Sequence, residues 1–279
     1  MSVTEIVKNS LNFPFTDTKK LLSLSGLVLI VGIVSSALVW GTIWSFSITH
    51  GKLSYLNGAM FVFESIIPLL LSFFVIGYIY RVFEGGINEN GVLPDFNQWK
   101  KMFIDGAKLF ILHLAYAIIP IILTIIGTFL IFDISFSSTT IINHVSVNPN
   151  DILNTLGGIF YIVAALIYII SLFFQIMAIN HMISNEGDLS YGFKLRDILD
   201  KIKSIGYGKF IGAIIFATLI SFIILFAFAF ITSIIDVFLT FIPFIGPTIA
   251  LIFTTIVITI VESYIYLFFA RTCGLLYNE

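Results

Sequence analysis

The chain has 279 residues, of which 58% are hydrophobic and 11% charged, with a formal net charge of −2. A soluble domain of this length could not hide so much apolar surface in one core, and so small a net charge gives no footing for nucleic acid, so the expected solvent is a bilayer. A lone cysteine, Cys273, excludes an intrachain disulfide, and His50, His113, His144 and His181 lack the paired spacing of a metal site, so neither a metal nor any other cofactor is expected.

The first twenty or so residues are mixed and contain Glu5 and Asp17. The hydrophobic stretch behind them is too long for the core of a cleavable signal peptide and is read as the first permanent helix. Apolar stretches then cover residues 21–48, 59–83, 109–132, 156–182, 210–235 and 248–270. Each reaches the roughly 20 residues that carry a self-satisfied helix across the hydrocarbon core. The fold class is therefore an all-α integral membrane protein with six transmembrane helices. Between the last two, Ile242-Pro243-Phe244-Ile245-Gly246-Pro247 is apolar but broken by two prolines and a glycine, which predicts a tight hairpin turn.

Lysines and arginines fix an expected orientation. All 14 except Lys52 fall before the first span, at the end of the second or between it and the third, between the fourth and fifth, or after the sixth. By the positive-inside rule that side is cytoplasmic, and both termini with it. The longest connection on the other side, 133–151, has no Lys or Arg and is rich in Ser, Thr and Asn. A soluble catalytic domain has no room there.

Phe15-Thr-Asp-Thr-Lys19-Lys20-Leu21-Leu22 before the first span aligns without a gap to Phe96-Asn-Gln-Trp-Lys100-Lys101-Met102-Phe103 before the third. A weaker match begins at Phe193 before the fifth. Together they suggest one membrane domain of three tandem units, 1–90, 91–187 and 188–279, each a basic amphipathic interfacial helix followed by a two-span hairpin. In the second unit Pro94-Asp95 predicts a helix start, and Phe96, Trp99, Phe103, Ala107 and Phe110 recur as a stripe. In the third, Ile198, Leu199, Ile202 and Ile205 do so. Lys19, Lys20, Arg81, Lys100, Lys101, Lys201, Lys203 and Arg271 are the candidate lipid-headgroup contacts. Tyr78, Tyr80, Tyr264 and Tyr266 read as interface anchors.

Inside the spans, Glu64 and Glu262 are costly carboxylates that need a proton, a partner or water. Gln175, Asn180, His181 and His113 read as hydrogen-bonding partners between helices, Pro68 and Pro120 as bends, and Gly157-Gly158 as a place of close packing. No phosphate-cradling loop, paired-histidine motif or nucleophile elbow is present, so no catalytic residue is assigned.

Gly77-Tyr78-Ile79-Tyr80-Arg81-Val82, Leu93-Pro94-Asp95-Phe96, Trp99 and Asp105-Gly106, with Asn12-Phe13-Pro14-Phe15 and Gly274-Leu275-Leu276-Tyr277 at the two ends, give the chain its likeness. It resembles a family of multi-pass membrane proteins, common in archaea, catalogued as domain of unknown function 4013. The resemblance implies a membrane protein and carries no activity or catalytic residues. The expected role is a non-enzymatic scaffold or lipid-associated accessory of the cytoplasmic membrane, with membrane lipids or a membrane-protein partner and no nucleic acid. A small transporter or channel using the two glutamates is the alternative, and an intramembrane lipid enzyme ranks last.

Overall fold

The computed structural model describes residues 1–48, 55–135 and 149–279; His50, Lys52, His144 and the centre of the 133–151 connection lie outside them. Continuous apolar sequence produces long helices. Among the described residues these are α1 (Val3–Asn12), α2 (Thr18–Ile48), α3 (Tyr55–Ile87), α4 (Trp99–Ser135), α5 (Pro149–Ser184), α6 (Leu195–Ile205), α7 (Tyr207–Thr240) and α8 (Gly246–Tyr277), with 3-10 turns at Phe13–Thr16 and Leu189–Phe193. Six of them, α2 to α5 with α7 and α8, are long and apolar enough to cross a membrane. No strand occurs among the described residues.

Caps mark the short elements. Ser2 and Glu5 form a reciprocal capping box that starts α1, and the Asp17 carboxylate accepts from the amides of Lys19 and Lys20 at the start of α2. Gly206, at a φ of 95°, ends α6 and turns the chain straight into α7. Between α7 and α8 the chain reverses in a short turn through Phe244 at a φ of 65°, the hairpin expected from Pro243 and Pro247.

The long helices form three hairpins, α2 with α3, α4 with α5, and α7 with α8. The second arms α3 and α8 also pack on each other, and α8 touches α1, α2, α5 and α6 as well. Burial is concentrated at the end of the bundle that carries most of the lysines and arginines, here the basic end. There the last turns of α8, including Leu267, Phe268, Cys273 and Leu276, are enclosed by α1, α3, α5 and α6. Toward the opposite end large apolar side chains such as Phe222, Phe226 and Leu251 face outward, as expected for a surface solvated by lipid tails.

The surface helix expected to begin at Pro94-Asp95 is not a separate element. Residues 93–98 are irregular, and α4 starts at Trp99 and runs on without a break for 37 residues, about 55 Å, so it extends past a hydrocarbon core of about 30 Å. Its inward stripe also differs from the expected one. Met102, Asp105, Leu109 and Leu112 are buried, whereas Trp99 is exposed. The reason is close helix crossing: a Cβ on Gly106 would strike the Phe73 carbonyl, and one on Gly77 the Met102 carbonyl. The smallest residues, not the largest aromatic ones, choose the contact face. In α6 the expected stripe holds for Ile198, Ile202 and Ile205, which are buried, but Leu199 is exposed. The first two aligned motifs occupy equivalent places, since Phe15 and Phe96 each lie three residues before the first residue of a long helix.

Candidate functional site at the basic end

The connection 88–98 between α3 and α4 is held by three cations from three helices. Lys20 of α2 pairs with the Asp95 carboxylate at 2.7 Å and donates to the Leu93 carbonyl at 2.8 Å. Arg81 of α3 donates to the Asp95 carbonyl at 2.9 Å and to Asn97 Oδ1 at 3.0 Å. Arg271 of α8, only 2% exposed, donates to the carbonyls of Gly85 and Asn90 at 2.7 Å each and lies over the Phe13 ring. Tyr78 completes the clasp by donating to the Pro94 carbonyl and stacking on Phe96 at 4.1 Å. The Lys20 ammonium holds the Asp95 carboxyl below the usual carboxylate range.

These contacts correct the sequence reading. Lys20, Arg81 and Arg271 are not free headgroup contacts, because irregular backbone leaves carbonyls that need donors and these side chains supply them. Tyr78 and Tyr80 are buried rather than at a lipid interface, and Tyr264 donates to the Leu11 carbonyl at 2.8 Å. Lys19, Lys100, Lys101 and Lys203 do remain exposed. Lys201 is half-buried, with its ammonium 4.9 Å from the centre of the Tyr277 ring.

Beside the clasp, the end of α3, the start of α4 and the cap of α5 enclose a charged cavity of about 700 Å³. Lys100, Lys101 and Lys108 line it together with Glu84, Asp105 and Glu186. Lys108 donates to the Gly187 carbonyl at 2.7 Å, which fixes one wall. Asp105 is 3% exposed, and its Oδ2 is buried without a hydrogen-bond partner.

Deeper in the bundle, α5 packs mainly on α4 and α7 mainly on α8, which leaves a cleft of about 520 Å³ between α5 and α7. Its walls are apolar, including Ile169, Leu172, Phe173, Ile215 and Leu219. The polar exceptions are Thr218 and the pair His113 and Gln175. Nδ1 of His113 lies 2.8 Å from Nε2 of Gln175, so α4 and α5 satisfy each other's polar group here, as expected from sequence. His181 likewise reaches α8, where its Nδ1 lies 2.9 Å from the Tyr277 hydroxyl. Asn180 does not cross between helices: it is buried and donates to the Ile176 carbonyl of its own helix.

The two glutamates are not brought together. Gly86 of α3 and Gly274 of α8 meet so closely that a Cβ on Gly274 would lie 2.7 Å from Gly86 Cα. Counting back from that crossing at 1.5 Å per residue, Glu262 lies about 18 Å away and Glu64 about 33 Å, a depth difference of about 15 Å. Neither lines the charged cavity or the apolar cleft. Pro68 removes the helical donor of the Glu64 carbonyl, yet α3 continues through it. A third intramembrane carboxylate escaped the sequence reading because α7 extends beyond the apolar run that marked it. Asp236 accepts from Thr254 Oγ1 at 2.5 Å, between α7 and α8 near the end opposite the basic one.

Asp105 was legible as one acid among lysines on a helix, but not as a buried one. The available signal was its place beside Gly106 on a Met102, Asp105, Leu109, Leu112 stripe. Six membrane-length helices around a buried basic end define a multi-pass helical membrane protein. The chain belongs to the family described as Protein of unknown function (DUF4013), whose model matches residues 60–235. No curated protein and no solved structure matches it.

Proposed function

We propose that this chain is a non-enzymatic, lipid-associated protein of the cytoplasmic membrane, its basic end in the cytoplasm, with the cleft between α5 and α7 holding an acyl chain of a bilayer lipid. The observation that carries this reading is the apolar cleft itself. Apolar cavities do not hold water stably, and the members of the polar pair that lines it are hydrogen-bonded to each other, so hydrocarbon is the fitting occupant. Lipid tails are as apolar as the cleft walls, so affinity would come from packing rather than from the hydrophobic effect. The depth separation of Glu64 and Glu262 supports ranking transport second.

The test is native mass spectrometry of the protein purified in mild detergent. Wild type is expected to retain lipid, and Ile215→Trp, which fills the cleft from an exposed position, is expected to lose it at an unchanged unfolding temperature. Equal lipid retention in both proteins, or none in wild type, would count against the reading. Equal flux through wild type, Glu64→Gln and Glu262→Gln in reconstituted vesicles would remove the transport alternative for these carboxylates.

A further inference from the structure

We propose that the charged cavity between α3, α4 and the α5 cap binds a phosphate joined to a primary ammonium, the chemistry of an ethanolamine-type phospholipid headgroup. The cavity of about 700 Å³ carries both signs of charge. A phosphate alone would meet the carboxylates of Asp105, Glu84 and Glu186. An amine alone would meet three lysines. A zwitterion with the two groups a few ångströms apart offers each sign its complement.

Within this cavity the groups divide into a mouth and a floor. Lys100 and Lys101 are exposed, with no ion pair among the described residues, and they stand in the first turn of a helix that goes on to cross the membrane. Lys108 is already engaged by the Gly187 carbonyl, so it shapes the wall. Asp105 forms the floor. It is 3% exposed and its Oδ2 is buried without a donor, a costly arrangement that an N–H of the ligand would relieve.

This geometry separates two common headgroups. Ethanolamine presents N–H donors to Asp105, whereas the trimethylammonium of choline has none and is bulkier. The preference for ethanolamine should be about tenfold or more, the worth of one hydrogen bond to a charged group. Loss of the preference with lipid still retained would overturn this inference and leave the acyl-chain reading standing, because the cleft and the cavity are separate places.

The experiment is a native mass spectrometry titration of the full chain with dioleoyl phosphatidylethanolamine and dioleoyl phosphatidylcholine. Wild type is expected to favour the ethanolamine lipid. Asp105→Asn, whose amide oxygen accepts an N–H more weakly than a carboxylate does, should weaken both lipids and lower the ratio toward one, and the pair Lys100→Gln and Lys101→Gln should weaken both lipids with the ratio kept. No preference in wild type, or a preference undiminished in Asp105→Asn, would overturn the proposal. A test that needs no variant uses the N-methylated ethanolamine lipids: binding should fall at the trimethyl step, when the last N–H is lost, and a gradual decline with each methyl overturns the hydrogen-bond assignment. Soluble O-phosphoethanolamine distinguishes the source. Competition only at much higher concentration than the lipid supports a lipid headgroup, whereas equal affinity assigns the site to a free phosphorylated amine and overturns the lipid assignment.

Discussion

Gly274→Ala places a methyl group where backbone already stands. The new Cβ would lie 2.6 Å from the Phe83 carbonyl oxygen and 2.7 Å from Gly86 Cα, and neither atom can swing aside as a side chain would. An ordinary carbon separation of about 3.5–4 Å requires α3 and α8 to part by about 1 Å. Overpacking of this kind costs about 1–3 kcal/mol. The same movement stretches the two 2.7 Å bonds from Arg271 to Gly85 and Asn90 beyond hydrogen-bond range, and each contributes about 1.5–3 kcal/mol. The expected loss is therefore about 4 kcal/mol or more. Gly212→Ala in α7 is the control: no atom lies within 4 Å of its Cβ position, so higher helix propensity should stabilise by about 0.5–1 kcal/mol. Thermal unfolding of both variants in one detergent, followed by circular dichroism, should give shifts of opposite sign. A Gly274→Ala protein that melts like wild type, or two variants that shift alike, would refute the close crossing as the source of stability.

Arg271→Met keeps the bulk of the side chain and removes both donors to 85–90, and relief of the buried charge offsets part of that loss; the expected net cost is about 2–4 kcal/mol in the same unfolding assay, and a neutral result would mean that the clasp contributes nothing. Glu279, paired with Lys209 at 2.7 Å, is held below the usual carboxylate range by that lysine. Its folded pKa lies below the unfolded value of about 4.3, so its contribution to stability is present above that value and is lost as pH falls through the folded one. Hydrogen-exchange protection near the C-terminal turn of α8, measured relative to the intrinsic rate at each pH, should fall below about pH 4, and Glu279→Gln should show that lower protection already at neutral pH; protection that is flat with pH and unaffected by the variant counts against a role for the Lys209–Glu279 pair. Cys273, 2% exposed, should react with a maleimide only as fast as the basic end unfolds, and faster in Gly274→Ala. Complete labelling of native protein within minutes would contradict the enclosure of α8.

Much of the framework was readable because membrane insertion is decided segment by segment. Each apolar run had to become a helix long enough to close its own hydrogen bonds, and Pro243 with Pro247 had to break the last pair. His113, Gln175 and His181 were readable as interhelix partners, since a polar group in hydrocarbon needs one. Their particular partners were less so: His113 meets Gln175 across α4 and α5, His181 meets Tyr277, and Asn180 turns back to its own helix. The helix α1 was missed although Ser2 and Glu5 carry a capping signature, because its ten residues have no long apolar run to draw attention. The stripe of α4 was misplaced because volume, through Gly77 and Gly106, outweighed hydrophobicity in choosing the face.

Sequence by itself determined six spans, the turn between the last two and the collection of positive charge at alternate connections, because hydropathy and charge count are properties of each segment alone. Tertiary structure alone decided what each charge does. Lys20, Arg81 and Arg271 carry the same sign as Lys100 and Lys101, yet the first three satisfy loop carbonyls that folding brings to them from distant positions, and the last two stay exposed at the mouth of a cavity. Asp105 became a buried carboxylate without a hydrogen-bond partner for the same reason. The donors and acceptors that settle its fate belong to other helices, and no local pattern encodes which of them arrive.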